Sequence, residues 1–348
     1  MKKPLFKAIV LLAIVAVLSL MVVTGCKQTT ATETTAAAAE TTAAAKKLVF
    51  GNLPTAMSDE WNGYSTENFL YAAEKMGVEV QVLDAAWDGA KQLSNLEDLI
   101  IKGVDEIGVF VYTPEEAEKF AAKAKEAGIP ISFENTKLMN YDFQGEYLFN
   151  VACEYDSIGY TAIKWVAENY DGAKIFYVRG LPGMGIVEAY EVGVEKALAE
   201  YPNVSVAIRR DTQWDTGTAQ PVVTDVLASG EEFDVVFANN ESIAQGVYNA
   251  LKDAGLEKDI PIIATGGGPT GVTMLENGII EATVASPVSL QGLYLFKAMY
   301  LHATQGITPP EKFIPLPDMP ITKDTLDENI SWIPSDDLIE LIGGLESW

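Results

Sequence analysis

A single histidine, His302, is all the imidazole this chain of 348 residues carries, and it sits in a helical-looking stretch, "LYLFKAMYLHATQG". Histidine-based metal ligation and triad catalysis therefore have almost no material, and His302 reads as a surface or packing residue. Cysteine is nearly as scarce. Only Cys26 and Cys153 occur, and if the first is consumed at the N-terminus, Cys153 has no partner and no intramolecular disulfide supports the fold. Basic residues are few as well: 24 Lys and Arg against 49 Asp and Glu give a formal charge of −25, which disfavours nucleic acid and anionic lipid as partners. No EF-hand spacing of acids is present, so no calcium loop is expected. The glycine-rich "TGGGPTG" (265–271) lacks both the Lys and Ser/Thr of a P-loop and the spacing of a dinucleotide fingerprint, so it reads as a tight turn rather than a phosphate cradle, and no cofactor is expected.

What is present begins with an export signal. "MKKPLFKAIVLLAIVAVLSLMVVTG" places Lys2, Lys3 and Lys7 ahead of an apolar run from Ala8 to Val23, a charged start and a hydrophobic segment slightly short of the roughly 20 residues of a membrane span. Small Thr24 and Gly25 precede Cys26, which resembles a bacterial lipobox with cleavage before Cys26 and lipid on its sulfur. Loss of the three leader lysines would bring the net charge near −28. Residues 26–46, rich in Thr and Ala, have too little apolar surface to offset chain entropy and read as a disordered tether.

From Lys47 onward, apolar β-branched runs such as "VEVQVL", "EIGVFVY", "KIFYV" and "DVVFAN" alternate with segments of helical period bounded by Pro114 and by glycines such as Gly77 and Gly128. That pattern predicts an α/β fold with parallel, doubly covered sheets. The chain also echoes itself. "MGVEVQVL" (76–83) returns as "YPNVSVAI" (201–208), "KGVDEIGVFVY" (102–112) as "SGEEFDVVFAN" (229–239), and "AGIPISF" (127–133) as "LEKDIPIIAT" (256–265). Three pairs in one order at offsets of about 125 to 131 residues predict two similar lobes.

Ligands of open α/β sheets sit beyond the carboxyl ends of the strands. Those ends carry Asp59, Trp61, Asn62, Tyr112, Glu134 and Asn135 in the first lobe, and Glu188, Trp214, Asp215, Asn240, Glu241, Gly266 and Ser286 in the second. Carboxylates and amides suit hydroxyl-rich guests because each exchanges paired hydrogen bonds, and an indole face covers the C–H face of a sugar ring. Trp61 and Trp214 are the expected opposing stackers. A carboxylate pair such as Asp59 and Glu188 would also serve a glycosidase, but the same residues serve hydroxyl recognition, so the chain is expected not to be an enzyme.

"AKQLSNLEDLIIKGVDEIGVFV", "KEAGIPIS", "FDVVFANNESIAQGVYNAL" and "NGIIEATVASP" resemble stretches of the type I periplasmic sugar-binding proteins of ABC transporters, the ribose-binding-like family, and the resemblance runs from about Lys47 to Pro315. It implies two doubly wound lobes joined by a three-strand hinge near Cys153, near Ser286 and Pro287, and within Pro309–Pro315. The expected first lobe is 47–153 plus 287–313; the second is 154–286 plus 314–348, with the tail on the second lobe. It further implies a monomer that captures a sugar, polyol or cyclitol and delivers it to an ABC permease, held at the outer face of the cell membrane through Cys26. A ligand-presenting sensor and a binder of an amine-bearing guest are the alternatives. Family stacking and amide positions fall on Asp59, Trp61, Asn62, Trp214, Asp215, Asn240 and Glu241. The usual Asp-Arg pair is replaced by Glu134, Asn135 and Thr136, a second-lobe Arg falls near Glu188, and Gly266 and Ser286 stand for a family Asp and Gln. Ribose itself is therefore not the expected guest.

Overall fold

Alternation of strand and helix in the sequence becomes two sheets of six strands each in the structure, a computed structural model that describes residues 47–141 and 143–348. The expected leader, Cys26 and the tether lie outside those residues. The first sheet is built from β1 (Val49–Leu53), β2 (Glu79–Val82), β3 (Glu106–Val109), β4 (Ile131–Glu134) and β5 (Asn150–Cys153), with α1 (Glu60–Met76), α2 (Gly89–Lys102) and α3 (Pro114–Ala127) between them. The chain then crosses into α4 (Tyr155–Asn169), β6 (Lys174–Arg179), α5 (Ile186–Glu200), β7 (Ser205–Asp211), α6 (Thr216–Ser229), β8 (Val235–Ala238), α7 (Glu241–Asp253), β9 (Ile262–Gly266), α8 (Pro269–Glu276) and β10 (Ala282–Ala285). The echoed segments occupy equivalent places: β2 matches β7, β3 matches β8 and β4 matches β9.

After β10 the chain returns to the first lobe as α9 (Val288–Gln305) and β11 (Phe313–Leu316), then enters the second as β12 (Met319–Thr322). β11 lies parallel to β5, whereas β12 lies antiparallel to β10. The reason is geometric. Strands of both sheets point their carboxyl ends at the junction, so one continuous segment runs with the first sheet and against the second. The third crossing is consequently at Pro317 and Asp318 and not at 313–314, because Phe313–Leu316 still pair with Asn150–Cys153.

The tail corrects a second expectation. Rather than staying on the second lobe, it crosses a fourth time: Asn68 Nδ2 on α1 donates to the Trp332 carbonyl at 2.8 Å, α10 (Asp336–Leu341) packs on α9, and the Trp348 ring lies 5.9 Å from that of Phe149.

Local chemistry fixes the elements that carry the site. Asp59 caps α1 by accepting from Asn62 N at 3.0 Å, and Gly77 ends it with φ 69°. Gly292 of α9 meets the Ser65 carbonyl of α1 so closely that no Cβ fits there, and the Phe296 ring lies 5.9 Å from Phe50 and 5.4 Å from Phe69. Burying one such ring stabilises by about 2 kcal/mol. The same inner face continues through Ile158, Tyr177 and Tyr190 of the second lobe, so one apolar layer runs behind the cleft. His302, expected on the surface or in packing, is only partly exposed and lies 2.6 Å from buried Glu106.

Candidate functional site

The loops leaving the strand ends of both lobes border a cavity whose empty space, with the solvent at its mouth, is about 650 Å³. Its first wall is the turn between β1 and α1. Asn62 is the brace: its Oδ1 accepts from Thr55 N at 3.1 Å and Thr55 Oγ1 at 2.9 Å, and its Nδ2 donates to Asp59 Oδ2 at 2.8 Å. Burial raises the Asp59 carboxyl above its ordinary range, against the lowering effect of the Asn62 hydrogen bonds. Beside it, Asp84 Oδ1 accepts from Met57 N and Ala86 N, holding a turn in which Ala86 and Trp87 have φ of 53° and 63°. This strained turn delivers the Trp87 indole to the cavity.

The second wall repeats the device. Trp214 has φ 67°, its carbonyl accepts from Asn240 Nδ2 at 3.1 Å, and its ring lies against Gly180, where any Cβ would collide with the indole. Asn240 also caps α7 through Ile243 N at 2.7 Å. Asn135, with φ 59°, accepts from Tyr155 OH at 2.6 Å. The described residues contain four non-glycine positions of positive φ, and Trp87, Asn135 and Trp214 among them line the cavity. Such backbone costs about 1 kcal/mol or more per residue and persists where surrounding structure imposes it, commonly at binding sites.

Polar groups form the floor. Thr265 Oγ1 donates to the Asn239 carbonyl at 2.6 Å, so Tyr190 OH, 2.7 Å away, is the donor to Thr265. Glu241 Oε1 accepts from Gly267 N at 2.6 Å and Thr283 Oγ1 at 2.8 Å. Burial, reinforced by the Glu60 charge and opposed by those hydrogen bonds, pushes its carboxyl up to about 7. The turn at 265–271 thus presents Gly266 to the cavity while Gly267 grips Glu241. Glu60 Oε1 reaches Thr270 Oγ1 of the opposite lobe at 3.1 Å.

Asp59, Trp61, Asn62, Asn135, Trp214, Asn240, Glu241 and Gly266 come together around this cavity. Tyr112 and Asp215 border its outer extension with Ser58 and Gln213. Three expected residues do not reach it. Glu134 ends β4, a strand buried on both faces, and its Oε2 accepts from Ser65 and Gln291 between α1 and α9. Glu188 is exposed on α5 and accepts from Gly183 N at 2.7 Å, so the proposed Asp59–Glu188 carboxylate pair does not form in the cleft. Ser286 is buried at the second crossing, where its carbonyl accepts from Trp332 Nε1 at 3.0 Å.

Glu60, Trp87, Phe110, Tyr155, Tyr190, Thr265 and Trp332 line the cavity without having been expected there, and the strand-end Asn239 joins them. Trp87 had a signal. It follows the second strand of its lobe as Trp214 follows the second strand of the other, 127 residues later, inside the spacing of the repeat. Among the described residues no Lys, Arg or His lines the cavity. The chain's three arginines, Arg179, Arg209 and Arg210, are spent on Glu191, Asp211, Glu195 and Glu231 of the second lobe. Among the described residues no group of acids, His and Cys is arranged to hold a metal ion, and no helix is long and apolar enough to cross a membrane.

The family model described as a periplasmic binding protein domain matches residues 50–307. The ribose import binding protein of Escherichia coli (strain K12) is 27% identical over 215 residues, 61% of this chain and 70% of the relative. A xylitol-binding protein of Mycolicibacterium smegmatis is 28% identical over 230 residues, 62% of this chain and 64% of the relative. An ABC transporter solute-binding protein of Bacillus halodurans C-125, solved with bound myo-inositol, superposes with a TM-score of 0.75 at 23% identity, covering 82% of this chain and 98% of the other. With two parallel-sheet lobes around an aromatic cleft and a family match over most of its length, the chain belongs to the type I periplasmic sugar-binding proteins, which bind and carry rather than catalyse.

Proposed function

We propose that this protein captures a neutral, polyhydroxylated small molecule, a sugar, polyol or cyclitol, in the cleft between its lobes and delivers it to an ABC importer from a lipid anchor at Cys26. The observation that carries the reading is the composition of the cavity: indoles from both lobes, carboxyl and amide groups, and no cationic side chain. Indole faces cover the C–H faces of a ring, while Asp59, Asn135, Asn240 and Glu241 exchange hydrogen bonds with hydroxyls. An anionic guest would meet the acids Asp59, Glu60 and Glu241 and no counter-charge in the lining. Relatives that bind ribose and xylitol, and a structural neighbour holding myo-inositol, support the class. The hinge then converts capture into a closed shape for the permease to read, as in other two-lobed binding proteins.

A thermal-shift panel of ribose, allose, xylitol, myo-inositol and a hexuronate tests the reading, because a ligand that binds only the folded form raises Tm. At least one neutral compound should raise Tm, and the hexuronate should not. Silence from every neutral compound, or a shift with the hexuronate alone, overturns it.

A further inference from the structure

Residues 308–348 lie beyond the stretch matched by the family model, yet they send one side chain into the cavity. Trp332 is 3% exposed and lines it beside Trp61. The two rings meet edge to face, centroids 5.2 Å apart at 82°. On the other side the Trp332 indole covers Gly268 so tightly that a Cβ there would come within 2.7 Å of it. Its Nε1 is fixed to the Ser286 carbonyl at 3.0 Å and its own carbonyl to Asn68 Nδ2 at 2.8 Å. Ser331 O accepts from Ser289 Oγ at 2.7 Å, and Asn329 Nδ2 donates to Gly267 O at 2.8 Å. These bonds join the tail to α1, to the turn after β9, to the crossing between β10 and α9 and to the first turn of α9, so the indole has one position.

We propose that Trp332 is a ligand-contacting, specificity-determining wall of the cleft, supplied by the C-terminal tail, and that it selects a compact ring over an open chain. It rests on the polyhydroxylated-ligand reading above. Two indoles at near right angles form a rigid corner. A ring presents a flat C–H face and an edge to such a corner without losing internal rotations, whereas an open-chain polyol must freeze several to do so.

Isothermal titration of the full-length chain in detergent with myo-inositol, D-ribose and xylitol tests this. Wild type should bind a ring probe more tightly than xylitol. Trp332→Ala should weaken the ring probe by roughly 10-fold or more and xylitol by less than about threefold, in keeping with the loss of an aromatic contact. Trp332→Phe, which keeps an apolar ring if the alanine variant fails to fold, should show the same selectivity at roughly threefold. Trp165→Phe, on α4 and outside the cavity, should change nothing. Equal loss on all probes that bind, no loss, or a wild type that prefers xylitol overturns the proposal while leaving the ligand reading in place. A wild type that binds none of the three, nor allose as a further ring probe, overturns both together.

Discussion

Two corners of the molecule, Trp87-Asp88 and Trp214-Asp215, are alike in nearly every respect that matters. Each follows the second strand of its lobe, each Trp has a positive φ, of 63° and 67°, and each Asp caps the next helix by accepting from the backbone N–H three residues on, at 3.0 Å from Lys91 and 2.9 Å from Thr218. A left-handed residue ahead of a capping Asp turns the chain sharply at the sheet edge, and the indole is left over the cleft. The repeat of the lobe thus carries a cavity-lining indole with it. The buried acids near the strand ends teach the opposite lesson. Glu134 and Glu241 are both almost wholly buried, yet one braces two helices and the other stands at the cavity floor. A strand end sets where a loop begins; what the loop does depends on the helices that pack over it.

The largest expected departure from symmetry belongs to Glu241. Its carboxyl at about 7 stands above the ordinary value of 4.5, so the folded protein holds a proton that the unfolded chain releases between about pH 4.5 and 7. The stability this proton confers is present below that window and is lost as pH rises through it. At 1.36 kcal/mol per unit, the loss is on the order of 3 kcal/mol. Glu241→Gln should lessen, without abolishing, the fall of urea midpoints from pH 4.5 to 8, because burial also pushes Glu106 up, to about 9; an unchanged slope assigns the dependence elsewhere.

Next come the paired tryptophans. Glycine accepts positive φ without strain, so Trp87→Gly and Trp214→Gly should each keep the fold while weakening the bound neutral ligand by about 2 kcal/mol, roughly 30-fold. Titration calorimetry with circular dichroism alongside checks both. A strong loss at one and none at the other would show that the symmetry of the backbone does not extend to the ligand.

The smallest effect is expected at Glu134→Gln. Its role is to accept from Ser65 and Gln291, which a glutamine oxygen does equally well, so the Tm should reflect a change within about 0.5 kcal/mol and affinity should hold within about twofold. Substantially weaker binding would return Glu134 to the ligand-contacting set.

Much of this architecture was legible in the sequence because parallel strands and their helices write their period directly into the order of apolar residues, and the repeat fixed two lobes. Trp61, Trp214, Asn240 and Glu241 were found by the strand-end rule alone. Trp332 was not, since nothing local marks a coil residue whose place is set by partners more than 40 and more than 260 positions away, Ser286 and Asn68. Glu134 and Ser286 misled for a related reason: a polar residue at a strand end reads identically whether the packed helix above it leaves a cleft or fills it.

The pairing of β11 with β5 also has a bearing on synthesis. About 160 residues, all of the second lobe's sheet but β12 among them, separate Asn150 from its partner Phe313. The first lobe therefore cannot close its sheet as it leaves the ribosome or enters an export channel, and must wait, with one strand edge open, until the second lobe has passed. Contacts so distant in sequence slow folding, and an unpaired edge is exposed to other chains meanwhile. Assembly of the first lobe is therefore complete only once residues 313–316 are available to pair.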